Sequence, residues 1–373
     1  MTAINALATE GRQEKFMDEA DRISTTGQAG AATREPATAD LVRFLGDPGV
    51  YPHRPESVRV EETHMSWVFL AGPRVYKLKK PVRYPFLDFS TLAAREHFVR
   101  EEVRLNRRLA PTVYLDATPL SLDADGRLKI GPGARVVDWL VTMQRLPEAR
   151  MLDRLIADGS LTPQMVEQLA DVLCAFFRSV PPEEPAPDDY ADRYLREQAE
   201  TVAVLRDASL DFDGARVEAA LGHFDAAFEA ARPLLAERIR SGRIIEGHGD
   251  LRPEHVAMTD PIAVIDCLEF NRDLRIVDPF EELAFLGLEC ARLGADWVFP
   301  ILYRHCTDAL DDSPPDALIR FYWTYRALLR ARLTLVHLLE PNPRTPEKWR
   351  PLAWRYVELA ERADIIPSAP PGR

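Results

Sequence analysis

The stretch from Ile244 to Leu286, IIEGHGDLRPEHVAMTDPIAVIDCLEFNRDLRIVDPFEELAFL, holds the densest set of residues able to do chemistry. A short apolar entry leads into His248-Gly249-Asp250, read as a turn. A second apolar strand, Ile262–Ile265, follows the turn at Thr259-Asp260-Pro261 and delivers Asp266. This spacing lets a hairpin bring Asp250 and Asp266 to the same end. Two carboxylates held together, one as base and one as metal ligand, are what phosphoryl transfer needs. Taken singly, each aspartate reads as an ordinary strand-end turn residue. The joint pattern is what favours function.

The elements that must carry these residues fall into two groups. Ordered structure should begin near Ala39, where ADLVRFLGDPGVYP has a helical apolar pattern ended by Gly and Pro. From Val58 to Val82 the chain alternates in part and is rich in Val, Trp, Phe and Tyr, which predicts strand, short loop, strand, tight turn, strand. A helix is expected over Leu92–Leu109, with Phe98, Leu105 and Leu109 on one face and Pro111 just beyond its end. Two more strands fit Val113–Leu122 and Arg135–Gln144, parted by the turn Asp123–Gly126. About five antiparallel strands and one helix are the outline of a kinase small lobe.

After Pro147 the pattern is helical, over Thr162–Ser179, Tyr190–Arg206, Ala215–Ser241, Pro279–Leu293, Asp316–Leu339 and Pro346–Asp364. The Arg-rich run Tyr325–Arg332 is read as a solvated helix face with i,i+4 partners in preference to a contact with an anionic substrate, and Trp139, Phe176, Phe177 and Trp323 as core. The domain expectation is a mobile arm over 1–38, a nucleotide-binding lobe over 39–145, a helical lobe with catalytic loop and acceptor site over 146–366, and a loose tail over 367–373. The arm is poor in large apolar groups, too poor to offset the entropy of ordering it.

The 373 residues carry a formal net charge of −12. Broad binding to nucleic acid or anionic membrane needs a basic footprint, so neither is an expected partner. No apolar run approaches the roughly 18 residues of a membrane helix, and the N-terminus has acidic residues and no apolar stretch of the secretory kind. Cys174, Cys267, Cys290 and Cys306 form no CxxC pair and read as buried free thiols. A cytoplasmic location is expected, and the oligomeric state is left open.

His248-Gly249-Asp250-Leu251-Arg252-Pro253-Glu254-His255, then Ile265-Asp266, resembles the catalytic loop H-G-D-x-x-x-x-N and following I-D of the aminoglycoside phosphotransferase and kinase-like family. Val277-Asp278-Pro279-Phe280-Glu281-Glu282-Leu283-Ala284 is similar to that family's D-P-x-x-D-L-A helix start. Upstream, Thr63–Leu70, Tyr76–Val82 and Leu105–Pro111 resemble its bacterial branch often fused to a C-terminal P-loop kinase-like domain. No GxxxxGK[ST] occurs, so that domain is expected to be absent.

The resemblance implies an α+β, bilobal protein-kinase-like fold, with ATP and Mg2+ as cofactors and a small-molecule hydroxyl acceptor as partner. It implies that Asp250 is the catalytic base, that Asp266 holds magnesium, and that His248 supports the loop. Asp278 would accept hydrogen bonds from the catalytic-loop backbone. His255 stands where the family has Asn as second metal ligand; it is assigned to the metal, with a phosphate contact or a satisfied structural histidine as the alternatives. Lys77 follows Val75 by two on a strand, so one side of the sheet would offer an apolar contact for adenine and a cation for the phosphates; Lys79 shares that parity. Glu102 is the preferred helix partner of the lysine, with Glu101 as the alternative. Met143 and Ser66 are also assigned to the nucleotide. Because no GxGxxG lies between the first strands, backbone amides with Ser66 or His64 would cover the phosphates. Glu269, Asn271 and Arg275 would face an acceptor groove, or hydrogen-bond within the loop.

The leading function is ATP-dependent phosphotransfer to a small-molecule hydroxyl. The replacement at His255 motivates a rival, a nucleotide-binding pseudokinase with a regulatory role. A metallophosphoesterase built on His248, Asp250, His255 and Asp266 ranks last, because it also needs an early D-x-H and a G-N-H loop.

Overall fold

A computed structural model describes residues 36–365, apart from 85–86, 213, 341–342, 344 and 363–364. The expected tail, and the expected arm up to residue 35, lie outside the described residues. The chain clusters into two compact units, one running to residue 104 and including 111–145, the other made of 105–110 and 146 onward.

The first unit holds helix α1 (Thr38–Leu45), strands β1 (Val58–Glu62), β2 (Ser66–Ala71) and β3 (Arg74–Lys79), and the short pair β4 (Arg83–Tyr84) and β5 (Leu87–Asp88). Helix α2 (Leu92–Asn106) follows, then β6 (Tyr114–Leu122), β7 (Leu128–Ile130) and β8 (Arg135–Gln144). The main sheet is antiparallel, in the order β1-β2-β3-β8-β6-β7. Six strands replace the expected five, because β7 is too short to display an alternating pattern.

Strand parity divides the sheet's chemistry. Phe69, Ala71, Tyr76, Leu78, Leu120 and Leu140 pack with Leu41 and Leu45 of α1 and with Tyr51 in one apolar core. Burying each large apolar side chain there contributes about 1.5–3 kcal/mol. The intervening residues of β3, Val75, Lys77 and Lys79, point to the opposite face. Helix α2 stops at Asn106, earlier than expected; Leu105 and Leu109 are buried as expected, together with Val99, Glu102 and Val103, while Phe98 is only half-buried. Arg95 ties α2 to the sheet, its Nε 2.9 Å from Asp138 Oδ1.

The second unit contains α3 (Leu152–Ala157), α4 (Pro163–Ser179), α5 (Pro187–Leu205), α6 (Gly214–Arg240), α7 (Pro279–Arg292), α8 (Val298–Leu310), α9 (Asp316–Leu335) and α10 (Pro346–Ala360). Between α6 and α7 lie four two-residue strands, β9 (Ile245–Glu246), β10 (Val256–Ala257), β11 (Ala263–Val264) and β12 (Ile276–Val277), pairing as β10–β11 and β9–β12. Helix α8 was not among the helices expected from the sequence, and Pro300 lies inside it. That proline occupies the third helical position, where the backbone has no intrahelical acceptor to bond, so it does no harm.

The reading of Tyr325–Arg332 as a solvated face is overturned. Arg326 and Arg332 are buried, and Arg330 is nearly so. Arg326 pairs with Glu281 at 2.7 Å, Arg330 Nε with Glu289 Oε1 at 2.9 Å, and Arg332 with Glu200 at 2.7 Å and with Glu197. Their acidic partners come from α5 and α7, too distant in sequence to show in an i,i+4 pattern. Phe176, Phe177 and Trp323 are buried as expected, whereas Trp139 is half-buried beneath the Arg100 guanidinium. All four cysteines are buried with free thiols. Among the described residues no helix is long and apolar enough to cross a membrane.

Candidate active site

In the first unit, Lys77 and Lys79 both reach Glu102, whose Oε1 lies 2.9 Å from Lys77 Nζ and whose Oε2 lies 2.6 Å from Lys79 Nζ. The two lysines differ in access. The Lys77 side chain is 19% exposed, while that of Lys79 is 1% exposed and sits over the Phe89 ring. Glu101 instead pairs with Arg104 at 2.8 Å on the helix surface. Val75 pairs across strands with Met143, so an apolar pair stands two residues from Lys77 on the same face. Ser66 is buried opposite Lys79; its amide donates to Thr63 Oγ1 at 3.0 Å, and its carbonyl accepts from the Thr63 amide at 2.9 Å. Ser66 thus fixes the turn before β2.

In the second unit the catalytic-loop candidates form one network. Gly249 has φ +84°, and a Cβ there would meet Leu274 O at 3.0 Å and Leu268 Cδ1 at 3.1 Å, so only glycine fits without strain. The amides of His248 and Gly249 donate to Glu282 Oε1 at 2.7 and 2.5 Å. This corrects the expected role of Asp278. Asp278 does cap α7, accepting from the Phe280 amide at 2.9 Å, but its other partners are Arg238 at 2.5 Å and the Tyr322 hydroxyl at 3.1 Å. The loop backbone is held one helical turn later, by Glu282.

His248 supports the loop from within. Its Nε2 bonds the Ile265 carbonyl at 2.9 Å, which can only accept, so Nε2 carries the proton and Nδ1 is left facing the Asp250 amide at 3.3 Å. Burial pushes its pKa down to about 3, and the ring stays neutral.

Asp250 is buried. Oδ1 lies 3.0 Å from Arg252 Nε, while Oδ2 has no hydrogen-bond partner among the described residues. Burial alone would raise its pKa; Arg252, then His255 and Arg330, outweigh burial and hold it below the usual carboxylate range. Asp250 is therefore an ionised carboxylate with one buried oxygen left over.

Asp266 follows the β10–β11 hairpin, in which Val256 pairs with Val264 and Ala257 with Ala263. Its φ of +62° is left-handed, a conformation that costs a non-glycine residue of order 1 kcal/mol or more and that aspartate tolerates better than most. Hydrogen bonds on both sides hold it there. The Ile265 amide donates to His255 O at 2.9 Å, and the Cys267 amide to Asn106 Oδ1 at 2.9 Å. The His255 ring stands beside both acids, Nδ1 3.6 Å from Asp250 Oδ2 and Nε2 3.5 Å from Asp266 Oδ2.

Asp266 suits a divalent cation, being a carboxylate on a fixed backbone with its side chain 22% exposed. His255 suits it less well. Its Nδ1 bonds the Asp250 carbonyl at 2.8 Å, and its Nε2 faces Arg252 Nη2 at 3.1 Å. Arg275 is buried, donating to Leu268 O and to Glu246 Oε1 at 2.6 and 2.7 Å, so it serves the loop rather than a groove. Arg108 was quoted only within a motif, yet it donates to the carbonyls of Glu246 and Gly247, both at 2.7 Å.

Residues 73–329 match the model of the phosphotransferase enzyme family. Uncharacterised proteins of Mycobacterium tuberculosis and Mycobacterium bovis are 30% identical over 298 residues, a match covering 77% of this chain. The chain spans 56% of the length of these relatives. Among solved structures, a choline/ethanolamine kinase family protein from Mesorhizobium loti is 15% identical with a TM-score of 0.47, covering 87% of this chain and 96% of its own. A thermostable mutant of an aminoglycoside phosphotransferase, in complex with AMP-PNP and hygromycin B, is 14% identical with a TM-score of 0.47, covering 87% of this chain and 99% of its own.

Proposed function

The chain belongs to the phosphotransferase enzyme family, and we propose that it moves the γ-phosphate of ATP to a hydroxyl of a small-molecule acceptor. The observation that carries this reading is the buried Asp250 carboxylate, ionised by its neighbours yet with Oδ2 unmatched. A buried acceptor oxygen without a donor costs about 1–3 kcal/mol, and an incoming hydroxyl removes that cost. Asp250 Oδ2 would accept the acceptor's O–H, orient the oxygen and take its proton as the bond to phosphorus forms.

Asp266 would hold magnesium, which when bound neutralises the charge of the nucleotide phosphates. Lys77, the exposed member of the lysine pair, would contact those phosphates while Glu102 fixes its ammonium. Val75 and Met143 would pack on the base, and Ser66 would serve through the backbone turn it fixes. The acceptor is left open, because fold and chemistry do not determine substrate.

A second reading, a non-catalytic nucleotide binder, draws on the engagement of Asp250 Oδ1 by Arg252. Label transfer from [γ-³²P]ATP to a panel of hydroxylated metabolites and aminoglycosides separates the two. Asp250→Ala should lower transfer by about 10²–10⁴-fold while leaving ATP binding intact. Asp266→Ala should weaken metal-dependent nucleotide binding itself. Unchanged transfer in Asp250→Ala defeats the base assignment; nucleotide binding without transfer to any acceptor favours the regulator.

A further inference from the structure

His255 and Arg252 together raise the question of how many cations this site takes. Asp250 O is a carbonyl and can only accept, so the 2.8 Å contact puts the ring proton of His255 on Nδ1. Nε2 is then the bare nitrogen, and it is this nitrogen that lies 3.5 Å from Asp266 Oδ2. A nitrogen lone pair and a carboxylate oxygen at that separation would be two ligands of one ion, were the lone pair available. It is not, because Arg252 Nη2 donates to it at 3.1 Å. The same guanidinium sets its Nε 3.0 Å from Asp250 Oδ1. Arg252 is itself buried, and its planar fork spans the base and the imidazole with two different nitrogens.

We propose that the Arg252 guanidinium is a resident cation occupying the position a second divalent ion would need, so that the site takes a single divalent ion, held by Asp266. This rests on the phosphotransferase reading and deepens it. A second dication beside His255 Nε2 would have to displace the Arg252 hydrogen bond and sit against a permanent positive charge a few ångströms away, where the low dielectric of a buried site strengthens the repulsion between like charges. Histidine suits the arrangement, because its bare nitrogen accepts from arginine while its other nitrogen anchors to the loop backbone. His255 is then a positioning residue that aims Arg252 at Asp250.

The test uses the whole chain with a saturating non-hydrolysable ATP analogue and Mn2+ as the probe, counting bound ions by EPR. Electron spin-echo modulation reports whether an imidazole nitrogen is bonded to the metal. The wild type should bind one Mn2+ with no directly coordinated nitrogen. His255→Asn should leave the count unchanged, and Arg252→Met should add a second ion. Two ions or a coordinated nitrogen in the wild type overturns the proposal and restores His255 as a ligand. A folded Arg252→Met still holding one ion also overturns it. If that variant does not fold, the wild-type count and nitrogen signal decide alone. Failure of the wild type to bind any Mn2+ with the analogue removes the phosphotransferase reading as well, whereas two ions remove only this inference.

Discussion

Lys77 and Lys79 share one carboxylate, and exposure separates what each does for the protein. Lys79 is sealed between Glu102 and the Phe89 ring, so Lys79→Met takes a buried charge from a buried partner and should destabilise the fold by up to about 3 kcal/mol. Lys77→Met leaves that buried pair intact. It should change the unfolding midpoint little and raise the KM for ATP about tenfold, the effect of losing roughly 1.4 kcal/mol of phosphate contact. Denaturant melts and nucleotide titrations on both variants check this, and a reversed pattern would reassign the phosphate contact to Lys79. Parity along β3 had left the two lysines equivalent, because the difference lies in Phe89 and α2, which strand periodicity does not see.

At the scale of elements, the turn at His248–Asp250 hangs from α7 through Glu282. Burial pushes the Glu282 carboxyl up to about 7 against its two amide hydrogen bonds. A raised folded value means the folded chain holds the proton more tightly, which favours folding below the usual value of 4.5 and is lost as pH climbs to about 7. His248 runs the other way, since a value lowered to about 3 favours folding above 6.5 and is lost as pH falls. Between pH 4.5 and 6.5 the two oppose each other. The stability of wild type relative to Glu282→Gln should therefore shrink as pH rises from 4.5 to 7, read from thermal melts across that range. A difference that stays constant or grows would refute the burial argument. Much of this element was legible beforehand: the hairpin, both aspartates and the helix start follow from local spacing. Which acid holds the loop did not, because Asp278 and Glu282 sit one turn apart on the same helix and only their distant partners, Arg238 and the loop amides, tell them apart.

For the molecule as a whole, sequence periodicity found the antiparallel strands and most of the helices but misjudged the arginines of α9. Charge on a helix reads as surface until partners elsewhere in the chain are known, and here Glu281, Glu289 and Glu200 supply them. Long-range hydrogen bonds to backbone also mark the six residues Leu105–Ala110, which cluster with the second unit although the chain on either side belongs to the first. The chain therefore passes from one unit to the other three times, and no single cut separates them. A fragment of residues 146–373 would lack Asn106, the acceptor for the Cys267 amide, and Arg108, the clamp on Glu246 and Gly247. Such a fragment should exchange its backbone hydrogens rapidly at Cys267, measured by deuterium uptake against the full chain, and equal protection in the two would show that the hexapeptide is dispensable. Anyone dissecting the gene for crystallography or complementation must carry that small insertion along, or the turn at Asp266 loses the peg it hangs on.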